Sequence, residues 1–261
     1  MNDIAIRGMQ RLSAAGGVEM PPMDLSEPLN EAEKQLVRDA FLEHHILVFR
    51  GQTLSKEEQA AFTEQFGELE SHVARRHDGT ETPIVHTVSN LDADGNPSYK
   101  PVTHGNYFWH TDKSYHALPS LATLLHAIEL PEKGGHTQFA NTYMAYEALS
   151  NDKKRDYTDL KVVHSWEANR RNTGNRPATE EEKRDRPPVT HPLIRTHPET
   201  GRKVLYVGIH TSHIVDRPEE EGRKLLDELT TFAGQEDFVY THEWQPGDLV
   251  MWDNRCLLHR A

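Results

Sequence analysis

The chain of 261 residues has little cysteine, a deficit of positive charge and no long apolar run. Its single cysteine, Cys256, excludes an internal disulfide and fits a reducing cytoplasm. The 29 Lys and Arg against 41 Asp and Glu give a formal net charge of −12, which argues against nucleic acid or an anionic membrane as the main partner. No apolar run approaches the roughly 18 residues of a membrane span, and we expect no signal peptide because the N-terminus lacks an apolar core.

Short strands separated by turns dominate the predicted elements. Asn30 is a candidate N-cap for a helix over 31–43, and Ser55 opens a capping box for a helix that ends at Gly67. Further helices are predicted at 141–149, 151–160 and 218–234, and strands at 45–49, 83–89, 122–129, 136–140, 203–207, 238–244 and 249–258. The pattern is typical of a mainly β chain with inserted helices (α+β), forming one jelly-roll domain over 1–261.

The most polar stretch lies within residues 165–190 and is rich in Asn, Arg and Glu. A solvated surface loop would have this composition, and so would an active-site lid, because long loops often carry function. The sequence leaves both interpretations open.

A metal-ligand pattern is formed by His110, Thr111 and Asp112 with the distant His259. Residues i and i+2 of a strand point to one face, roughly 6–7 Å apart, so His110 and Asp112 could bind one ion. With His259 they would complete a 2-His-1-carboxylate facial triad, which suits non-haem Fe(II) and leaves coordination positions open. The same spacing recurs in His197-Pro198-Glu199, which we discard because Pro198 cannot donate to a central strand and a turn follows it.

Five blocks of sequence carry a resemblance to a known family. In order, they cover residues 109–112, 134–139, 145–150, 191–203 and 247–255, the last followed by His259. On these blocks the chain resembles the taurine / 2,4-dichlorophenoxyacetate dioxygenase family of Fe(II)- and 2-oxoglutarate-dependent oxygenases, from Gly17 to the end. The stretch 239–260 looks closer to the dichlorophenoxyacetate branch.

The resemblance implies a double-stranded β-helix core that uses Fe(II), 2-oxoglutarate and O₂. By position, His110, Asp112 and His259 match the catalytic iron ligands, and Thr137 matches the hydroxyl that binds a carboxylate of 2-oxoglutarate. Trp252 and Asn254 match a motif that supports the metal strand. The implied reaction hydroxylates a substrate and releases succinate and CO₂; related halogenases lack the carboxylate ligand, so Asp112 favours hydroxylation.

Substrate contacts are also implied by position. The candidates are one asparagine, two histidines and three cations: His72, Arg75, Asn106, Lys113, Arg170 and His210. Because a buried cation without a partner is costly, the cations favour a small anionic substrate. We expect a carboxylate such as an aryloxyalkanoate, whose hydroxylation beside the ether oxygen cleaves the ether; a sulfonate or sulfate ester is the alternative.

Other classes of protein remain open on the same residues. A jelly-roll protein that binds metal without oxygenase activity would not consume 2-oxoglutarate, and the Gly134-Gly135 context of Thr137 argues against it. A structural protein with a decayed site would lack one triad member, and none is lost. Zinc hydrolysis is disfavoured because no His-Glu-x-x-His helix accompanies the triad.

Two expectations concern the ends and the surface of the chain. The family carries an arginine about eleven residues after the distal histidine that pairs with 2-oxoglutarate, whereas this sequence ends two residues after His259. Either the sequence is incomplete at its C-terminus, which we expect, or 2-oxoglutarate binding is impaired. The apolar helices leave room for a homo-oligomer, a dimer or a tetramer.

Overall fold

The computed structural model describes residues 8–70, 85–89, 91–92, 94, 96 and 104–261. These residues form a β-rich fold with several helices. This is the predicted α+β composition. Within these residues the helices are α1 Glu31–His44, α2 Lys56–Glu64, α3 Thr142–Ala148, α4 Asn151–Tyr157, α5 Trp166–Asn172, α6 Glu180–Asp185 and α7 Glu219–Ala233, with short 3-10 turns at His104–Tyr107 and Glu236–Phe238. None of these described helices has the length and apolarity needed to cross a bilayer.

The largest sheet among the described residues has five strands. Their spatial order is β1 Gln10–Ser13, β2 Gly16–Glu19, β3 Ile46–Phe49, β12 Leu249–Asp253 and β4 Ala122–His126. The β2–β3 pair is parallel and the other pairs are antiparallel. Strands β3 and β12 are buried along their whole length, because apolar residues cover both of their faces.

Three smaller sheets complete the described β structure. One has the order β11 Val239–His242, β5 Thr137–Asn141 and β13 Leu257–Arg260. Another has β10 Thr211–Ile214, β6 Lys161–His164 and β7 Val189–Pro192, and a two-stranded sheet pairs β8 Ile194–Thr196 with β9 Lys203–Leu205. All of these pairings are antiparallel.

Capping residues set the ends of the first two helices. Asn30 forms the predicted capping box of α1, and Ser55 forms that of α2. The helix α2 ends at Glu64 and not at Gly67, because the N–H of Gln65 bonds to the Phe62 carbonyl in a tighter last turn. Both helices cover the five-stranded sheet, where Val37, Phe41 and Phe62 join one apolar cluster with the sheet residues Leu47, Phe49, Leu249 and Met251.

The polar stretch 165–190 contains α5 and α6, each with a side-chain N-cap, and its role as a surface loop or a lid stays a prediction.

Three local predictions were wrong. The predicted strand over 249–258 is interrupted at 254–256, so its halves, β12 and β13, belong to different sheets. Residues 85–89 of the predicted strand 83–89 are not a strand. The segment around His110 is not a regular strand either, because only His110 pairs, as a single bridge to His259.

Candidate active site

The two histidines of the predicted triad are brought together by backbone pairing. His110 and His259 form an antiparallel bridge in which the His110 N–H reaches the His259 carbonyl at 3.1 Å and the His259 N–H reaches the His110 carbonyl at 2.7 Å. Their ring centroids lie 4.1 Å apart. Since His259 lies on β13, directly opposite Phe139 of β5, a sheet fixes one ligand and the bridge carries the other.

The carboxylate of Asp112 completes the group. Its Oδ1 lies 3.9 Å from Nε2 of His110 and 3.8 Å from Nε2 of His259. The chain turns directly after Asp112, where Lys113 adopts a positive φ of 52°. The three donor atoms lie within 4.8 Å of one another, which is close enough to hold one metal ion.

The His110 ring is held by a backbone carbonyl in an orientation that suits metal binding. Nδ1 of His110 lies 2.8 Å from the Phe108 carbonyl oxygen, so this nitrogen carries the proton and Nε2 keeps its lone pair for an ion. Burial, together with the nearby His110, lowers the pKa of His259 to about 3, so its ring is neutral at pH 7. A neutral imidazole is the form that binds a metal. The side chain of Asp112 is 32% exposed, so the group is open on one side.

Asp112 stays ionised in this arrangement. Burial opposes its charge, but the neighbouring His259 and His110 and a hydrogen bond from Thr123 outweigh burial and lower its pKa. The donor set is therefore two imidazoles and one carboxylate with an open side. This set fits a non-haem Fe(II) ion.

Thr137, the predicted 2-oxoglutarate contact, lies on β5 two residues before Phe139. Phe139 pairs with His259 across the sheet, and residues two apart on a strand face the same side. The Thr137 side chain therefore shares a face with the His259 ring. Its Oγ1 accepts a hydrogen bond of 3.0 Å from Nε1 of Trp244, which leaves its own proton free to donate.

The predicted substrate residues do not form one cluster. His72 and Arg75 lie outside the described residues. Asn106 is exposed on a 3-10 turn, where its carbonyl accepts from the Ala261 N–H at 2.7 Å. The Lys113 ammonium pairs with Glu70 at 2.5 Å, and Arg170 donates through Nε to the Arg176 carbonyl at 3.0 Å.

His210 lies beside the triad, with its ring centroid 6.3 Å from that of His110. Its Nδ1 is 3.0 Å from Oγ of Ser114, which in turn contacts Nδ1 of His164 at 3.1 Å. Burial lowers the pKa of His210 to about 3, while a hydrogen bond with the Thr111 backbone acts in the opposite direction. His210 is therefore a neutral, buried residue that supports the segment carrying the ligands.

An aromatic wall, which the sequence reasoning missed, extends from His210. Tyr115 lies 4.9 Å from His210 and Trp166 lies 5.3 Å from Tyr115, measured between ring centroids. Two cations flank Trp166: the guanidinium carbon of Arg186 is 4.9 Å from its ring and that of Arg170 is 5.9 Å away. We call Tyr115, Trp166 and Arg186 the aromatic wall. No sequence spacing links these residues, because they come from a turn, α5 and the end of α6.

A second group of donor atoms, His197, Asp253 and Cys256, is buried on the other side of the core. Nδ1 of His197 accepts from the N–H groups of Glu199 and Thr200, so its proton sits on Nε2 and donates to Asp253 at 3.1 Å. Arg255 also binds both oxygens of Asp253. The carboxylate is therefore occupied by donors, and this group is a structural ion-pair cluster. Glu199 pairs with Arg255, so His197 and Glu199 do not form a metal-ligand pair, in agreement with the prediction from Pro198.

Comparison with known proteins agrees with this geometry. The model of the taurine catabolism dioxygenase TauD, TfdA family matches residues 9–261. The chain belongs to this family. The resemblance drawn from the five sequence blocks is confirmed.

Individual relatives cover nearly the whole chain. An alpha-ketoglutarate-dependent 2,4-dichlorophenoxyacetate dioxygenase from Cupriavidus pinatubonensis is 38% identical over 95% of this chain and 88% of its own length. An alkylsulfatase from Acinetobacter baylyi is 32% identical over 97% of this chain and 79% of its own. The crystal structure of AAD-2 with Mn(II) and N-oxalylglycine superposes with a TM-score of 0.81 at 34% identity, covering 97% of this chain and 89% of that one.

Proposed function

We propose that the protein is an Fe(II)- and 2-oxoglutarate-dependent dioxygenase that hydroxylates a small anionic molecule, a carboxylate such as an aryloxyalkanoate. The observation that carries the proposal is the convergence of Nε2 of His110, Nε2 of His259 and Oδ1 of Asp112 around one point with an open side. The 2,4-dichlorophenoxyacetate dioxygenase at 38% identity supports the carboxylate class. The alkylsulfatase at 32% identity supports a sulfate ester as the second candidate.

We also propose that the sheets belong to a double-stranded β-helix, or jelly-roll, core. The antiparallel pairings of β5 with β11 and β13, and the passage of the chain from β12 into β13 of another sheet, support this architecture. This architecture would place His259 of β13 and Thr137 of β5 on the inner face of the same sheet.

In the proposed reaction, His110, Asp112 and His259 hold Fe(II). The Thr137 hydroxyl, whose oxygen is held by Trp244, donates its free proton to a carboxylate of 2-oxoglutarate. The bound iron, with 2-oxoglutarate and O₂, would supply the oxidant for hydroxylation, with one oxygen atom of O₂ going to succinate as CO₂ is lost and the other to the substrate. An aryloxyacetate would gain a hydroxyl on the carbon beside its ether oxygen. The resulting hemiacetal would collapse to a phenol and glyoxylate.

We propose that the aromatic wall contacts the substrate. Tyr115 and Trp166 offer apolar faces for an aryl ring beyond His210. Arg186 is half-buried and, among the described residues, has no carboxylate within ion-pair distance, so an anion would complete its environment. Lys113 and Arg170 have partners already, and His72, Arg75, Asn106 and His210 stay predicted contacts.

The cytoplasmic location and the dimer or tetramer also stay predictions. The one cysteine, Cys256, is buried and unpaired, which supports a reducing compartment. Sedimentation of the purified protein would test the oligomeric state.

The iron and 2-oxoglutarate site is tested by anaerobic titration with Fe(II) and then 2-oxoglutarate, following the weak visible charge-transfer band. We expect a band in the natural protein and none in His110→Ala or Asp112→Ala, while His213→Ala, which changes a histidine outside the site, keeps it. Iron binding without a band would refute the 2-oxoglutarate assignment and favour a metal-binding protein that is not an oxygenase.

The substrate class is tested by measuring succinate with aryloxyacetates, alkyl sulfates and sulfonates. We expect succinate and a phenol in equal amounts from an aryloxyacetate, and Arg186→Gln should raise KM roughly tenfold, the effect of losing one charge-assisted contact of about 1.5 kcal/mol. Arg184→Gln, an exposed arginine on the same helix, is the matched control. Turnover with sulfate esters alone would make the second candidate correct.

A further inference from the structure

The two oxygens of Asp112 have different environments. Oδ1 is the oxygen that lies 3.9 and 3.8 Å from the Nε2 atoms of His110 and His259. Oδ2 accepts a hydrogen bond of 2.6 Å from Oγ1 of Thr123. One oxygen therefore faces the metal position, and the other is occupied by a hydroxyl from strand β4.

The direction of this hydrogen bond is fixed by a second one. Nδ2 of Asn254 lies 2.8 Å from Oγ1 of Thr123, and an amide nitrogen can only donate. The Thr123 oxygen therefore accepts from Asn254, and its own single proton goes to Asp112, whose carboxylate can only accept. The Thr123 hydroxyl is therefore the donor to Asp112, and the direction of this hydrogen bond cannot reverse.

The orientation of the Asn254 amide is fixed in turn. Its Oδ1 accepts from Nε1 of Trp252 at 3.1 Å and lies 3.4 Å from the N–H of Asp112. Both groups are obligatory donors, so the oxygen of the amide must face them and the nitrogen must face Thr123. Asn254 is 1% exposed, and its side chain bonds only within this group of described residues.

The same residues hold the segment that carries the ligand. The Asn254 carbonyl accepts from Oγ1 of Thr111 at 2.6 Å, between the two ligand positions. Thr123 pairs directly with Trp252 across β4 and β12. Asp112 lies beyond the single backbone bridge at His110. Side-chain hydrogen bonds from Thr123 and Asn254 therefore hold Asp112 in place where a regular strand would be held by backbone hydrogen bonds.

We propose that Thr123 is a positioning residue that holds Asp112 as a ligand through one oxygen only. A carboxylate free to rotate could bind an ion through both oxygens and occupy a second coordination position. With Oδ2 held by Thr123, that position stays open for the carboxylate and keto oxygens of 2-oxoglutarate. The proposal rests on the iron site proposed above.

The experiment compares Thr123→Val, which keeps the shape and removes the hydroxyl, with Thr123→Ser, which keeps the hydroxyl. Anaerobic titration measures Mn(II) and Fe(II) affinity and the charge-transfer band with 2-oxoglutarate, and a separate aerobic assay measures the ratio of product to succinate. We expect Thr123→Val to weaken metal binding by about 10–100-fold, to shift the band, and to lower the ratio. Thr123→Ser should restore all three to within about threefold.

Two results would overturn the proposal. One is a Thr123→Val protein with natural metal affinity and an unchanged band. A natural protein that binds no Fe(II) would refute the iron site instead, and one that binds Fe(II) without the band would refute the 2-oxoglutarate assignment. The other is an equal loss in Thr123→Val and Thr123→Ser, since a purely packing role would not be rescued by the hydroxyl. If Thr123→Val does not fold, Trp252→Phe removes the N–H that fixes Asn254 and should shift the band relative to that of the natural protein; an unchanged band would again refute the proposal.

Discussion

Gly234, at the end of α7, lies against Trp109, the residue that precedes His110, the first of the proposed metal ligands. A Cβ built on Gly234 would meet Nε1 of Trp109 at 2.2 Å and two ring carbons at 2.8 and 2.9 Å. Ordinary contacts begin at 3.4 Å, so one of the two groups must move by about 1.2 Å. The backbone does not forbid the change, because Gly234 has a φ of −87°. The strain of Gly234→Ala would therefore be purely steric.

Trp109 has little room to move. Its ring is 8% exposed, the Arg260 guanidinium lies 4.4 Å from its centroid, and its carbonyl accepts from the Ile209 N–H at 3.0 Å. Overpacking of this kind costs about 1–3 kcal/mol. We therefore expect Gly234→Ala to lower the melting temperature by roughly 2–12 °C, at about 2–4 °C per kcal/mol for a chain of this size. Because His110 follows Trp109 directly, Mn(II) affinity should also fall, by about tenfold.

Calorimetry and Mn(II) titration measure the two effects. Gly67→Ala is the matched control, because nothing lies within 4 Å of a Cβ at that position. An unchanged melting temperature for Gly234→Ala would refute the steric argument. An unchanged Mn(II) affinity with a lower melting temperature would refute only the link from Trp109 to the ligand.

Three further predictions concern His45, Asp253 and Thr137. Burial lowers the pKa of His45 from 6.5 to about 4. Below pH 6.5 the unfolded chain therefore binds a proton that the folded chain does not bind, so the free energy of unfolding falls by up to about 3 kcal/mol between pH 6.5 and 4. Urea unfolding should detect this fall, and His45→Asn, which tolerates the φ of 68°, should reduce it. Asp253→Asn should cost about 3–5 kcal/mol in thermal unfolding, since it leaves buried His197 without its carboxylate partner and Arg255 with Glu199 alone; a cost as small as that of Asp152→Asn on the surface would contradict this. Thr137→Val should raise the 2-oxoglutarate KM while Thr137→Ser does not, and equal values for both in steady-state assays would remove Thr137 from the site.

Local sequence signals predicted the elements that depend on local chemistry. Asn30 and Ser55 were recognised as helix N-caps because their side chains bond to N–H groups three residues away. The apolar run after His45 predicted β3, a strand buried on both faces. These features involve neighbours in sequence, so periodicity and residue type are sufficient to find them.

Features set by distant contacts were missed. The break at Asn254 depends on its carbonyl and side chain bonding to Thr111 and Thr123, more than a hundred residues earlier. Nothing near Thr123 distinguishes it from any strand threonine. The pairing of Lys113 with Glu70 likewise joins residues 43 apart, so the sequence alone suggested an unpaired cation.

The bridge between His110 and His259 has a consequence for synthesis. The two residues are 149 positions apart, and closing a loop of that length costs about 4 kcal/mol of chain entropy. A ribosome synthesises His110 and Asp112 well before His259, so the nascent chain presents only two of the three donors until His259 has emerged. The complete donor set can therefore form only after this long-range bridge has closed.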